Sequence, residues 1–445
     1  MNVLFISLGC DKNLVDSEVM LGLLEKKGYR MTDDESEADI IIINTCCFIH
    51  DAKEESIQTI LEMAEHRKNG RCQALIVTGC LAQRYQEEIT REISEVDAVL
   101  GTSSYDSVAE AIEQALAGQR YLKFLDRDRL PLPEAKRVVT TGGHYAYLKI
   151  AEGCDKHCTY CIIPKIRGNF RSVPMERLLS EAAELAEGGV RELILVAQET
   201  TLYGVDLYGE KSLHRLLREL CKIKGLRWIR VLYCYPEEIY DELIQTIKEE
   251  KKICHYLDLP IQHASDRILK RMGRRTTRKQ LTEIIEKLRR EISDIALRTT
   301  LISGFPGETE QDHEELMDFV NEMEFERLGV FTYSQEEGTP AAFMENQIEE
   351  QVKEERRAAL MELQQEIVFE KNESMQGRKM TVMVEGYLPE EHVYVARTAA
   401  DAPGVDGYLF IETSETLVSG DFVKVTVTGA QEYDLIGEME DEFTE

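Results

Sequence analysis

The sequence predicts an α/β chain in three parts: an open parallel α/β sheet at the N-terminus, a central partial (β/α)6 barrel of the TIM type, and a small antiparallel β-barrel at the C-terminus. Three observations predict it. Strand and helix signals alternate over residues 1–120, which is the pattern of a parallel sheet covered by helices. The alternation resumes beyond the charged, proline-bearing stretch DRDRLPLP (residues 126–133) and yields six further βα units. After Gly377 the texture turns to short strands separated by glycine and proline, as in a small barrel. The parts are placed at 1–120, 136–372 and 375–441. A second doubly wound sheet is the alternative for the middle part.

Each element has its own signal. Residues 3–7 form a short apolar run, and residues 15–27 have helical spacing closing on Lys26-Lys27-Gly28. Residues 40–43 are four consecutive isoleucines, expected of a strand buried on both faces. A helix follows over 52–67, then strands over 74–77 and 98–100. In the middle part strands are predicted over 145–150, 193–197, 228–232, 256–259, 297–302 and 329–332, with charged amphipathic helices between them. Residues 348–371 read as one long helix, with Ile348, Val352, Leu360, Leu363 and Ile367 as its apolar stripe. The last part offers strands over 379–385, 392–397, 408–411 and 422–427, and an acidic tail, 438–445, expected to fray.

Composition bounds the function. The chain has 445 residues, 43% hydrophobic and 31% charged. No apolar run approaches the roughly 18 residues a membrane helix needs. The N-terminal stretch makes a poor signal peptide, so a cytoplasmic protein with no membrane partner is expected. Formal charge is 53 − 83 = −30, opposite to the field of a nucleic-acid binder. It fits solubility or a basic macromolecular partner. Eleven cysteines in a reducing compartment are hydrophobes, nucleophiles or metal ligands rather than disulfides.

Two groups of cysteines stand out. In GCDKHCTYC, Cys154, Cys158 and Cys161 follow the predicted strand 145–150 as C-x3-C-x2-C. Parallel α/β folds place their sites at the carboxyl ends of strands. Structural zinc closes its site with four ligands, and electron-transfer clusters usually take four cysteines. Three therefore suggest a cluster with one open position, although His157 could supply a fourth zinc ligand. Cys10, Cys46 and Cys80 each lie just past a predicted parallel strand, so all three should converge on one edge of the first sheet. They suggest a second open cluster, or an unusual zinc site. Cys46 is preferred to its neighbour Cys47. Cys72, Cys221, Cys234 and Cys254 are read as structural.

A C-x3-C-x2-C loop opening a βα barrel resembles the radical S-adenosylmethionine superfamily. SLGCDKNLVDSE, NTCCFIH, VTGCLAQRY, HYAYLKIAEGC, CIIPKIRG, YLDLPIQHAS, GFPGETE and YSQEEGTPAA resemble, in order, the methylthiotransferase family across essentially the whole chain. The resemblance implies two [4Fe-4S] clusters and S-adenosylmethionine as cofactors. Cys154, Cys158 and Cys161 would hold the cluster that cleaves the cofactor reductively. Cys10, Cys46 and Cys80 would hold the auxiliary cluster that handles the inserted sulfur, and a second cofactor molecule would supply the methyl group. Tyr160 matches a position near the adenine. Gln198 (in 193–199) and Ser303 (in 302–304) match strand ends lining the cofactor pocket. The C-terminal barrel resembles a TRAM domain. No acid–base triad is expected, because the chemistry is radical. Glu308, His263 and Asp258 could touch cofactor or substrate, or simply cap loops; Lys165 and Arg167 could contact a carboxylate or be solvated.

The family has two main branches, one acting on a tRNA adenosine and the other on the β-carbon of an aspartate in a small-subunit ribosomal protein, number twelve in the bacterial scheme. SLGCDKN (the second branch usually has proline at Asp11), HYAYLKI and ARTAADAPGVDG look like the second. From Met375 to Glu445 the net charge is 4 − 15 = −11, which suits a basic protein better than tRNA phosphate. The ribosomal protein and a cellular electron donor are the expected partners, with tRNA disfavoured. The competing readings are a tRNA methylthiotransferase and a non-catalytic metal-binding scaffold.

Overall fold

The computed structural model describes residues 1–131 and 136–440. The end of the proline-bearing boundary stretch, 132–133, and the last five residues of the chain lie outside the described residues.

The first sheet is six-stranded and wholly parallel, formed by β1 (Asn2–Ser7), β2 (Arg30–Thr32), β3 (Ile40–Thr45), β4 (Ala74–Gly79), β5 (Ala98–Leu100) and β6 (Tyr121–Lys123). Its order is β2-β1-β3-β4-β5-β6. The isoleucine run of β3 shows why it is buried on both sides. Ile41 and Ile43 pack with Ile60 and Met63 of the helix His50–Asn69, while Ile40 and Ile42 pack with Met20 and Leu24 of the helix Asp11–Lys26. Side chains alternate across a strand, so four apolar residues in a row serve two cores at once. The short outer strands β2 and β6 carry little apolar sequence and were not foreseen.

The second sheet uses β7 (Tyr145–Lys149), β10 (Glu192–Val196), β11 (Trp228–Val231), β12 (Ile253–Asp258), β13 (Ala296–Ser303) and β14 (Arg327–Thr332), again all parallel and in sequence order. Between β7 and β10 lies a small ribbon of β8 (Ala151–Glu152) and β9 (Arg171–Ser172). In β10, Leu193 and Leu195 face the surrounding helices, whereas Ile194 and Val196 face inward with Trp228 and Tyr256. This is the two-sided packing of a partial barrel.

The helix Glu350–Glu373 leads into a closed barrel of β15 (Lys379–Leu388), β16 (Val393–Thr398), β17 (Leu409–Glu412), β18 (Phe422–Gln431) and β19 (Asp434–Met439). Four of its pairings are antiparallel, and β17 with β19 is parallel. Strand β19 runs through Glu438, so the acidic stretch expected to fray begins inside the sheet.

This small barrel caps the inner face of the larger one. Met383, Ala402 and Phe422 join the inward-facing cluster of Ile194, Trp228 and Tyr256. Glu192 accepts hydrogen bonds from Arg230 Nε (2.8 Å) and Arg397 Nη2 (2.5 Å), with all three side chains fully buried. Burial alone would keep Glu192 protonated; the two guanidiniums outweigh it and hold the carboxyl below its ordinary range. Asp401 pairs with Arg327, and Asp406 pairs with Arg298 at 3.4 Å. Part of the acidity of the C-terminal barrel is therefore matched by arginines of its neighbour. Among the described residues no helix is long and apolar enough to cross a membrane.

Candidate functional site

The site lies where the carboxyl edges of the two parallel sheets meet. On the first sheet, Cys10 stands at the N-cap of the helix Asp11–Lys26, Cys46 directly follows β3, and Cys80 opens the helix Cys80–Tyr85 after β4. Polar residues of the same motifs brace these three strand ends. Asn13 Nδ2 donates to Leu8 O (2.7 Å) and Thr45 O (3.2 Å), and Asn44 Nδ2 donates to Asn13 O (2.9 Å). Thr45 Oγ1 donates to Thr78 O, and Ser56 Oγ both accepts from Cys46 N and donates to Cys46 O. Gly9 has φ +86°, and a Cβ there would lie 2.8 Å from Cys46 Sγ. Glycine is thus required both by the backbone and by the approach of the Cys10 loop to Cys46.

Burial, and then the neighbouring Cys80, push the Cys46 thiol up to about 12. Cys80 is likewise raised by burial, against the pull of Arg167. Thiols in such a setting ionise on meeting a metal. Cys47 is fully buried, packs in the core beneath the sheet, and its carbonyl accepts from Arg84 Nη1.

On the barrel side, Cys154, Cys158 and Cys161 lie on the loop after β8. Cys154 N donates to Gly168 O, Cys161 N donates to Cys158 O, and Thr159 N donates to Met272 O, which fixes the loop against the barrel. His157 has φ +52°, a left-handed backbone that turns the chain between the first two cysteines. Cys158 Sγ lies 3.9 Å from Tyr235 Oη. Burial pushes the Cys154 thiol up to about 11 and raises Cys161 as well. Among the described residues no His, Cys, Asp or Glu side chains are grouped in threes so as to hold a single metal ion. Cluster ligation asks for a different arrangement, one thiolate to each iron.

The other singled-out residues fall as follows. Tyr160 packs edge-on against Phe305, with ring centroids 6.5 Å apart. Gln198 Nε2 donates to Glu152 Oε1 (2.9 Å), and its Oε1 is buried without a partner. The Ser303 hydroxyl is spent on Lys353 O (2.9 Å). Glu308 caps the turn after β13, accepting from Gly304 N and Phe305 N and pairing with Arg356; His263 lies 3.6 Å from it. Asp258 accepts from Tyr233 N and Arg298. Lys165 Nζ donates to Gly338 O. Arg167 is not solvated: it is buried between Asp16, Glu152, Asn13 and Cys80.

Several residues of the cleft escaped the sequence reading. Arg274 is buried over the Tyr235 ring (4.3 Å), with Nε and Nη1 unpartnered. Glu199 has a buried, unpartnered Oε2, and burial pushes its carboxyl up to about 7. Lys12 sits 3.2 Å over the Tyr233 ring, and Tyr233 Oη donates to Asp11. Lys12 follows Cys10 by two positions, a nearness that could have marked it; nothing local marks Arg274. The segment after β14 is tied to the first part of the chain, with Arg84 Nη1 donating to Glu336 (2.7 Å) and His50 N to Ser334 Oγ (3.1 Å).

Known proteins match this arrangement part by part. Residues 2–101 match the model described as uncharacterized protein family UPF0004, 148–320 the radical SAM superfamily, and 377–439 the TRAM domain. The solved structure of the radical S-adenosylmethionine methyltransferase TsrM from Kitasatospora setae, with cobalamin and a [4Fe-4S] cluster bound, is similar with a TM-score of 0.55 at 14% identity, covering 76% of each chain. At that identity the likeness concerns the fold. Fold and matched models together define a radical SAM enzyme carrying an additional N-terminal sheet and a TRAM barrel. Two curated relatives narrow the class. The ribosomal protein uS12 methylthiotransferase RimO of Lachnoclostridium phytofermentans is 66% identical over 440 residues, covering 99% of this chain and 100% of that one. The protein of the same name from Geobacter sulfurreducens is 53% identical over 439 residues, 98% of each. The chain belongs to the ribosomal protein uS12 methylthiotransferase family.

Proposed function

We propose that this chain transfers a methylthio group to the β-carbon of an aspartate in ribosomal protein uS12, using two S-adenosylmethionine molecules and two [4Fe-4S] clusters. The observation that supports the reading is that the two parts touch beside these cysteines: Arg167, six residues after Cys161, lies 3.5 Å from Cys80 Sγ, and Asp11 and Lys12, next to Cys10, contact Tyr233 of the barrel. Cys154, Cys158 and Cys161 would hold one cluster and Cys10, Cys46 and Cys80 the other. When bound, the first supplies the electron that breaks the sulfonium bond of the cofactor, and the second carries the sulfur to be inserted.

The chain's own residues bind, orient and exclude water. Arg274 is anchored by Nη2 on Pro260 O, and its two nitrogens without hydrogen-bond partners suit the cofactor's carboxylate; Gln198 Oε1 and Glu199 Oε2, which accept no hydrogen bond, suit its amino and hydroxyl donors. A buried donor or acceptor without a partner costs about 1–3 kcal/mol, so a ligand that satisfies it gains affinity. Tyr160, held by Phe305, offers a ring face for the adenine, and Ser303 contributes backbone position rather than its hydroxyl. Arg84–Glu336 and Asp11–Tyr233 are contacts that tie the first sheet's loops to the barrel beside the cysteines and would hold the two parts in register.

A protein substrate is favoured over tRNA by the −11 charge of residues 375–445. Mass spectrometry of ribosomal proteins and tRNA nucleosides from a strain lacking this chain tests the choice. Loss of the methylthio group from uS12 with tRNA unchanged is expected; the reverse would refute it. Reduction depends on a cellular electron donor. Cys10→Ala is expected to leave reductive cleavage of the cofactor within about twofold of wild type while stopping methylthiolation, because Cys10 lies on the other side of the cleft from the cleavage site. Equal loss of both activities would contradict the division of roles.

A further inference from the structure

We propose that Arg167 is a positioning residue for the auxiliary site, holding the Cys80 thiolate and setting the reduction potential of the cluster carried there. This rests on the two-cluster reading above. Arg167 ends the helix Ile163–Arg167, which follows Cys161, so it belongs to the barrel. Yet its Nη2 reaches across the interface to Cys80 Sγ at 3.5 Å, and the same nitrogen donates to Asn13 Oδ1 at 2.9 Å. Its Nη1 donates to Asp16 Oδ2 (2.7 Å) and Glu152 Oε2 (3.1 Å). The side chain is 2% exposed.

The guanidinium is therefore gripped on one arm by two carboxylates and aimed by the other at sulfur. Lys149 Nζ also binds Asp16 and Glu152 Oε2. Two cations meet two carboxylates, so these four groups balance among themselves, and Arg167 is the one of the two cations that also contacts the Cys80 sulfur. A donor to a cluster's cysteine sulfur stabilises the reduced, more negative state and raises the potential. A lysine in this place would keep the charge but not the planar fork that serves both carboxylates and sulfur. Glu152 extends the link, since its other oxygen accepts from Gln198. Four side chains thus join the cofactor pocket to a ligand of the other site: Gln198, Glu152, Arg167 and Cys80. An ordinary interdomain ion pair would need the carboxylates but not the sulfur contact.

The test uses the full chain with Cys154→Ala, Cys158→Ala and Cys161→Ala together, reconstituted anaerobically so that only the auxiliary cluster remains. Its midpoint potential is read by electron paramagnetic resonance during a redox titration. In this background Arg167→Gln is expected to shift the midpoint to more negative potential, and Arg167→Lys to shift it by less. If Arg167→Gln does not fold, the Arg167→Lys midpoint decides alone. An unchanged midpoint in a variant with its full complement of iron would overturn the role of Arg167 and leave the two-cluster reading standing. A triple-alanine protein that binds no iron would overturn both.

Discussion

Replacing Cys158 with alanine is expected to abolish reductive cleavage of S-adenosylmethionine and, with it, all methylthiolation. The residue lies at the centre of the loop after β8, buried, with its sulfur 3.9 Å from Tyr235 Oη. It supplies one of only three thiolates on that loop, and no neighbouring side chain can replace it. His157 has its backbone in a left-handed turn, and Cys234 is committed to the barrel core, where Thr200 Oγ1 lies 3.4 Å from its sulfur. The loss should be complete rather than partial, since a group that acts as part of a unit takes the whole activity with it. Production of 5′-deoxyadenosine by the anaerobically reconstituted variant measures this. Cleavage at wild-type rate would remove the barrel trio from the mechanism.

The second large effect concerns stability. Glu192→Ala is expected to destabilise the docking of the C-terminal barrel by about 3–5 kcal/mol, because it leaves Arg230 and Arg397 buried without their shared carboxylate. Arg397 would keep Glu385 (2.8 Å) and Asp401 O (2.8 Å), while Arg230 would keep the carbonyls of Ala399 and Thr398 and the Tyr256 ring but no carboxylate. Replacing all three by apolar residues of similar volume should cost far less, since a buried ion pair and a packed apolar cluster are nearly equivalent in free energy. Urea unfolding followed by limited proteolysis at the barrel–barrel junction separates the two variants. A single-alanine variant as resistant as wild type would show that apolar packing alone, through Met383, Ala402 and Phe422, fixes the interface.

Local signals foretold much of this architecture. The strands of both parallel sheets are apolar and β-branched because each is buried on two faces, so their signal survives in the sequence alone, as in Ile40–Thr45. The outer strands Arg30–Thr32 and Tyr121–Lys123 face less apolar surface and carry no such signal. Asp434–Met439 was hidden by its acidic residues, which a barrel strand tolerates on its outer face. The placement of the two cysteine trios was legible because parallel strands all end at one edge. The groups around them were not. Arg167 meets Asp16, Asn13 and Cys80 only after two parts of the chain dock, and no spacing rule links residues so far apart. The acidity of the last part was legible as a net charge, but Asp401 and Asp406 turn out to face Arg327 and Arg298 of the neighbouring barrel. The net charge therefore overstates the field this part presents, because Asp401, Asp406 and Glu385 are matched by arginines.

The most direct test of function is chemical. Anaerobically reconstituted full-length protein, supplied with reductant, sulfide and S-adenosylmethionine labelled on its methyl group, is incubated with purified uS12, and the product is sequenced by tandem mass spectrometry. A single aspartate carrying a labelled methylthio group on its β-carbon, formed together with 5′-deoxyadenosine, is the expected result. Cofactor cleavage with no change to uS12, and label appearing instead on an adenosine when tRNA replaces the protein, would contradict it.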